Sequence, residues 1–296
     1  MRLTTILLTA AGLGALVALV LTGTARAQTA SAQTAKSLPQ APAPATEPVI
    51  PKPSERPAPD AAACPVSGGA LILAGDGLVH SRSAVAENRL NILAIGSSSI
   101  EGIGASHVDR GFVPLLQSDL RARLPEVAVN VVNRGVGGES AHETVNRLEA
   151  EIQRHQPDLV IWQVGTNDVF RARPWNDVAA DIHRGEDILS RYNVDVLLVD
   201  PQRMPDNAVN FPGKNPALGE VARLLAVEGN RVGYAVQRRF EAMSGWEKLT
   251  RGGIGPDDIH MNDDGYACWA SMTAEGLAAA VSAPPVQAPS EERTSP

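Results

Sequence analysis

Residues 91–99 read NILAIGSSS, an apolar run that ends in glycine and is followed at once by three serines. A short, continuous apolar run is typical of a strand that is buried on both faces, as in a parallel sheet. Further runs of this kind lie at 127–132, 159–164 and 194–199, and a weaker one lies at 231–236. The sequence therefore predicts at least five strands in one parallel sheet.

Segments with helical periodicity alternate with these runs. Apolar residues recur on one face over 112–124 and 139–155, and three further helices are predicted at 175–192, 217–228 and 265–281. This alternation predicts an α/β fold built as a three-layer α/β/α sandwich. In such folds the loops at the carboxyl ends of the strands carry the functional site.

The two ends of the chain differ in composition from its middle. Residues 1–27 contain an early basic residue, a long uncharged apolar stretch and a small-x-small ending, which predicts a secretory signal; an uncleaved membrane anchor is the alternative. Residues 28–63 carry eight prolines and almost no large apolar side chain, so a disordered linker is predicted there, and 282–296 predict a disordered tail. One domain of a size that a single core can fill remains at 64–281.

Charge and cysteine content narrow the class of protein. The net charge of −7 opposes nucleic acid or an anionic membrane surface as the main partner, since both require clustered basic residues. Cys64 and Cys268 are the two cysteines, and outside the cytosol such a pair is expected to form a disulfide. We expect a periplasmic or secreted protein, with no membrane insertion once the signal is cleaved.

Polar residues follow three of the predicted strands. Ser98 stands in the turn after the first strand, where a hydroxyl nucleophile would be presented at the edge of the sheet. Gly138 lies in a glycine-rich stretch after the second strand, where a free backbone N–H can stabilise an oxyanion, and Asn167 after the third can donate a hydrogen bond to the same space. Taken singly, each also fits an ordinary turn or cap. Gln163, inside the third strand, is expected to serve packing.

Asp257 and His260 are three residues apart near the end of the predicted domain. One turn of chain can bring the carboxylate to the imidazole Nδ1–H, which orients the other ring nitrogen toward a nucleophile. Taken by itself, this acidic segment also fits a solvated helix cap.

In this order and at these strand ends, the segments together resemble the SGNH hydrolase family, also called GDSL-like hydrolases. By motif, Ser98 matches the nucleophile, Gly138 and Asn167 match the oxyanion hole, and Asp257 and His260 match the Asp-x-x-His block. The resemblance implies a flavodoxin-like sheet, a serine esterase whose Ser98 N–H completes the oxyanion hole, and no metal or organic cofactor.

The first block departs from the family pattern. It reads Gly-Ser-Ser-Ser over 96–99, where the family usually has Gly-Asp-Ser-Leu. Ser97 therefore takes the place of the aspartate, and Ser99 offers another hydroxyl. The position two residues after Gly96 favours Ser98 as the nucleophile.

The resemblance implies an esterase that hydrolyses carboxylic esters through an acyl-enzyme, and the predicted signal makes it an exported one. O-acetyl groups on carbohydrate or cell-envelope polysaccharide are the first expected substrate. A lipase-like or lysophospholipase activity and an acetyltransferase are enzymatic alternatives, because they use the same residues. A non-catalytic carbohydrate-binding module on the same fold is the alternative that the missing aspartate favours.

Overall fold

The computed structural model of the chain describes residues 64, 71–72 and 77–282. The predicted signal and linker, and all of the predicted tail except Ser282, lie outside the described residues. Their boundaries therefore stay predictions.

The described strands form one sheet that is almost entirely parallel. They are β1 (Leu71–Ile72), β2 (Arg89–Gly96), β3 (Ala128–Gly135), β4 (Leu159–Gln163), β5 (Asp195–Val199) and β6 (Ala235–Gln237). Their order is β1-β6-β5-β4-β2-β3; β2 to β6 are parallel, and only the short β1 pairs antiparallel, with β6. The predicted parallel sheet is confirmed.

The weaker fifth prediction was misplaced. Of the predicted strand 231–236, only the last two residues lie in β6, while Arg231 and Val232 end the preceding helix. Gly233 follows with φ +77°, a left-handed conformation that glycine adopts without strain and that ends the helix. The chain therefore reaches the sheet four residues later than its apolar pattern indicates.

Nine α-helices lie in the described part of the chain. They are α1 (Val79–Ala86), α2 (Ser98–Glu101), α3 (Phe112–Arg123), α4 (Ala141–His155), α5 (Thr166–Phe170), α6 (Trp175–Leu189), α7 (Asn215–Val232), α8 (Arg239–Ala242) and α9 (Asp263–Ser282). The five predicted helices correspond to α3, α4, α6, α7 and α9, and the last of these includes Ser282, one residue into the predicted tail. None of the described helices is both long and apolar enough to cross a bilayer.

Strand β2 shows how the three layers are built. Leu90 and Ile92 face one core with side chains of α3 and α9, and Leu93 and Ile95 face a second core with α4, α6 and α7. Successive residues of a strand point to opposite faces, so an unbroken apolar run is what two helical layers require. The predicted three-layer α/β/α sandwich is confirmed.

Helix α9 is fastened to its surroundings at several points. The Trp269 ring is fully buried, stacks on Phe112 with centroids 3.6 Å apart, and its indole N–H donates to Gln237 at 2.8 Å. The structure also forms the predicted disulfide between Cys64 and Cys268, with Cα atoms 5.4 Å apart. These contacts fix α9, and α9 in turn fixes the end of the segment that precedes it.

Breaking the disulfide is expected to destabilise the protein. The bridge spans 204 residues, and for a closed loop of this length the chain-entropy model gives a stabilisation of up to about 5 kcal/mol. Urea unfolding of the wild type with and without dithiothreitol, and of Cys64→Ala, measures the loss. Cys64→Ala should match the reduced wild type and be unaffected by dithiothreitol. Two free thiols after alkylation under non-reducing, denaturing conditions would contradict the bridge.

Candidate active site

Ser98 is the first residue of α2 and follows β2 at the carboxyl edge of the sheet. Ser97 before it has extended backbone, with φ −95° and ψ −154°. The N–H of a first helical residue has no partner within the helix, so that of Ser98 is free to bind another group. Ser98 is partly exposed, whereas Ser97 and Ser99 are each 3% exposed. Of the three serines, Ser98 is thus the one a substrate can reach.

The two neighbouring serines are engaged in buried hydrogen bonds. Ser97 donates from its backbone N–H and its hydroxyl to Gln163 Oε1, at 3.0 and 2.8 Å. Ser99 donates from its hydroxyl to Gln202 Oε1 at 2.8 Å. Gln163 therefore does more than pack, and Gln202 was missed by the sequence interpretation. The signal available for both was an uncharged polar residue within or just after a buried strand.

The end of β3, where a glycine-rich stretch begins, lies against α2. A Cβ at Gly135 would stand 2.0 Å from the backbone nitrogen of Glu101, so only glycine allows this approach. Gly138 has φ +80°, and nothing lies within 4 Å of the position that its Cβ would occupy. A ligand can therefore approach the backbone at Gly138 closely.

Asn167 lies in α5, directly after β4, and helps to hold this stretch. Its Nδ2 donates to the carbonyl of Glu139 at 2.8 Å, and Arg171 donates to the carbonyl of Gly138 at 2.7 Å. A carboxamide carries two N–H donors, so one remains for a ligand. Two consecutive carbonyls are thus fixed by α5 and the residue that follows it, which orients the peptides around Gly138.

Arg147 of α4 joins the same stretch to the ends of two strands. It donates to the Glu139 carboxylate at 2.6 Å, to the carbonyl of Arg134 at 2.7 Å and to that of Gly96 at 3.4 Å. Both members of the Arg147–Glu139 pair are largely buried, where charge-assisted hydrogen bonds are strong. The sequence interpretation did not single out either residue, because their partners lie on other elements.

Asp257 and His260 form the predicted local pair. Nδ1 of His260 is 2.6 Å from Asp257 Oδ2, and Oδ1 accepts the backbone N–H groups of Ile259 at 3.1 Å and His260 at 3.0 Å. A carboxylate can only accept, so Nδ1 carries the proton and Nε2 is left as a base. Partial burial by itself raises the pKa of Asp257, but the hydrogen bonds from His260 and Ile259 outweigh it and lower the pKa.

Asp258, directly after Asp257, anchors the loop. Asp258 is 3% exposed, with the left-handed φ of +67° that non-glycine residues rarely adopt. Its carboxylate accepts the N–H groups of Val209 at 2.9 Å and Asn210 at 3.1 Å and pairs with Arg251. Hydrogen bonds from Asn210 and Val209 lower the pKa of Asp258, so it stays charged and holds the loop.

The loop that carries His260 meets the segment that carries Ser98. Gly104, just beyond α2, lies so close that a Cβ there would stand 2.7 Å from His260 Cβ. The Tyr266 hydroxyl donates to the carbonyl of Ile103 at 2.6 Å. All five predicted site residues therefore lie on segments gathered at the carboxyl edge of the sheet, and their catalytic roles stay predictions.

A cleft of about 300 Å³ adjoins the His260 loop. Its lining includes Arg203, Asn207, Glu247 and Arg251. Arg251 also pairs with Asp258 of the His260 loop, so one side chain both lines the cleft and contacts the loop. Across the described residues, no three His, Cys, Asp or Glu side chains group closely enough to hold a metal ion.

Comparison with known proteins identifies similar sequences and folds. Residues 63–282 match the model of the non-GDSL lipase-like family. A curated acetylxylan esterase of Geobacillus stearothermophilus is 29% identical over 105 residues, which are 36% of this chain and 42% of the relative. The chain thus matches less than half the length of that relative.

Two solved structures share the fold. A two-domain esterase active on acetylated mannans has a TM-score of 0.57 and 20% identity, covering 77% of this chain and 60% of that one. The lipase/acylhydrolase from Enterococcus faecalis has a TM-score of 0.56 and 20% identity, covering 64% and 96%.

Removing the Asn167 carboxamide should slow turnover without unfolding the protein. Loss of one oxyanion donor costs about 10²–10³-fold in kcat, so we expect this fall in Asn167→Ala. Steady-state kinetics on p-nitrophenyl acetate measures it, and circular dichroism during heating checks the fold. A kcat within about threefold of the wild type would make Asn167 a turn residue alone.

The acid limb of the pH profile should report a single proton. Because the pKa of Asp257 is lowered, Asp257 stays ionised as the pH falls toward its ordinary range and should add no second proton to the acid limb. A plot of log(kcat/KM) against pH is expected to have unit slope on its acid side. A slope approaching two would mean that Asp257 titrates in the same range.

Asp257→Asn should lower kcat by about 10²–10⁴-fold.

Proposed function

Because the chain belongs to the non-GDSL lipase-like family, we propose that it hydrolyses carboxylic esters through an acyl-enzyme formed on Ser98. The observation that carries the proposal is the Asp257–His260 pair, with Nδ1 and Oδ2 2.6 Å apart. This pair stands on a loop that meets the segment of the partly exposed Ser98. A serine with a base oriented by a carboxylate is the arrangement that nucleophilic acyl transfer requires.

In the first step the Ser98 Oγ attacks the acyl carbonyl, and its proton passes to Nε2 of His260. Asp257 keeps the ring in the correct tautomer and stabilises the imidazolium. The carbonyl oxygen becomes an oxyanion that accepts hydrogen bonds from the N–H groups of Ser98 and Gly138 and from the Asn167 amide. Collapse of this intermediate breaks the bond to the alkoxide, which leaves with the proton from His260.

In the second step water takes the place of the alcohol. His260 removes a proton from the water as it attacks the acyl-Ser98 carbonyl, and the same donors hold the oxyanion. Collapse releases the carboxylic acid and returns the proton to Ser98 Oγ. One ester and one water yield one acid and one alcohol.

We propose O-acetyl groups on carbohydrate as the substrate class. The partial relative is an acetylxylan esterase, and one structural neighbour is active on acetylated mannans. The lining of the cleft beside the His260 loop includes charged and amide side chains that can bond to sugar hydroxyls: Arg203, Asn207, Glu247 and Arg251.

A lipid ester is the second candidate. The apolar side chains of Ile103 and Val136 are 41% and 44% exposed, and both flank α2. Exposed apolar groups beside a nucleophile would favour a longer acyl chain.

We propose that the enzyme acts outside the cytoplasm. Residues 1–27 have the pattern of a secretory signal, and a disulfide such as that between Cys64 and Cys268 persists in oxidising compartments. Both features support an exported protein, and protease accessibility of the enzyme in intact cells is the test.

The nucleophile is testable directly. The wild type should hydrolyse p-nitrophenyl acetate, and Ser98→Ala should lower kcat by at least about 10³-fold, because the covalent step is lost. A fluorophosphonate probe followed by peptide mass spectrometry should place the adduct on Ser98. An adduct on Ser97 or Ser99 would contradict the assignment.

The substrate class is decided by a panel. Acetate, butyrate and octanoate esters of p-nitrophenol, with acetylated xylan and mannan oligosaccharides, are compared by kcat/KM. Release of acetate from the oligosaccharides, with the acetate ester preferred over the octanoate, supports the carbohydrate substrate. A preference for octanoate would favour the lipid ester instead.

A further inference from the structure

Gln202 connects the segment of the nucleophile with the loop of the proposed base. The Ser99 hydroxyl donates to Gln202 Oε1 at 2.8 Å, and Gln202 Nε2 donates to the carbonyl of Ile259 at 2.5 Å. Ser99 is next to Ser98 in the chain, and Ile259 is next to His260. Two hydrogen bonds and one side chain therefore span the distance between the two proposed catalytic groups.

Burial makes this connection effective. Gln202 is 1% exposed and Ser99 is 3% exposed. Hydrogen bonds shielded from water are strong, and a buried partner left without its hydrogen bond destabilises the fold. The bridge between the two segments is therefore well defined.

The far end of the bridge acts on the peptide that leads into His260. The carbonyl of Ile259 and the N–H of His260 belong to one planar peptide unit. The carbonyl accepts from Gln202, and the N–H donates to Asp257 Oδ1 at 3.0 Å. With both of its polar atoms held, this peptide has a fixed orientation, and so has the Cα that carries the imidazole.

The backbone that carries Gln202 is itself held in place. After Gln202, the N–H of Arg203 contacts Met243 Sδ at 3.3 Å, and Met204 exchanges two hydrogen bonds with the Asn215 side chain, at 2.9 and 3.0 Å. Gln202 itself follows β5 within the buried sheet edge. The glutamine thus projects from a rigid support.

We propose that Gln202 is a positioning residue that sets the distance between Ser98 and His260 and thereby the rate of acyl transfer. The proposal rests on the serine esterase function above. It also gives Ser99 a role: a hydroxyl is needed at this position to donate to Gln202, and the leucine usual in the related motif has none. Gln202 affects turnover through the distance between Ser98 and His260, so its substitution should leave substrate affinity unchanged.

The test compares variants by kcat and KM on p-nitrophenyl acetate. Gln202→Leu keeps most of the volume but breaks both hydrogen bonds, and a displacement of about 1 Å can cost 10²-fold, so kcat should fall about 10–100-fold with KM within threefold. Ser99→Ala should lower kcat less. The double variant should be no slower than Gln202→Leu, because both changes break one bridge.

Ser97→Ala is the matched control. It removes a hydrogen bond of the same 2.8 Å length from an equally buried serine on the other side of Ser98, but its partner Gln163 lies on β4 and not beside His260. Combined with Gln202→Leu, its effect on kcat should multiply. Amide hydrogen exchange over 257–262 should accelerate in Gln202→Leu and not in Ser97→Ala.

Each result either supports or overturns the positioning role of Gln202. An unchanged kcat in Gln202→Leu, full multiplication with Ser99→Ala, or unchanged exchange over 257–262 overturns the positioning role. If Gln202→Leu does not fold, Ser99→Ala carries the same comparison with the control. An inactive wild type overturns the esterase function and this role together. An active wild type whose variants keep the wild-type kcat overturns this role alone.

Discussion

Parallel pairing of β2 with β3 on one side and β4 on the other is the constraint on which the rest of the molecule depends. Gly96 stands opposite Gly135, and Ile95 stands opposite Trp162, so three neighbouring strands end at nearly the same level. The chain must then turn three times within a small area. Ser98, Gly138 and Asn167 are all placed by those turns, and none could reach the others from the opposite edge of the sheet.

The close approach at this edge has a steric cost that glycine avoids. Gly135 lies against the backbone of Glu101, and Gly104 lies against His260. Around these contacts the polar groups are satisfied in layers: Arg147 holds Glu139, Glu139 holds Asn167, and Asp257 holds His260. Asn167 and His260 are therefore each fixed by a hydrogen-bonded neighbour, and Arg147 fixes Glu139 in turn.

Local patterns carried the predictions that succeeded. The apolar runs of β2 to β5 and the three-residue spacing of Asp257 and His260 are both properties of a short window, so they can be read without a structure. Helices α2 and α5 have four and five residues, too few to show periodicity. Gln163 and Gln202 were not recognised because their partners lie 66 and 103 residues away. Ser97 in the usual aspartate position is likewise explained only by Gln163, a neutral partner for a neutral hydroxyl.

The bond between Cys64 and Cys268 has a consequence for the order in which the molecule is made. A chain emerges from its amino end at about 5–20 residues per second, so Cys64 waits for roughly ten seconds or more before Cys268 is synthesised. By then β2 to β6 have all been produced and can pair. The His260 loop, which lies eight residues before Cys268, is thus the last part of the proposed site to be synthesised. In an incomplete chain Ser98 therefore lacks the residue proposed as its base.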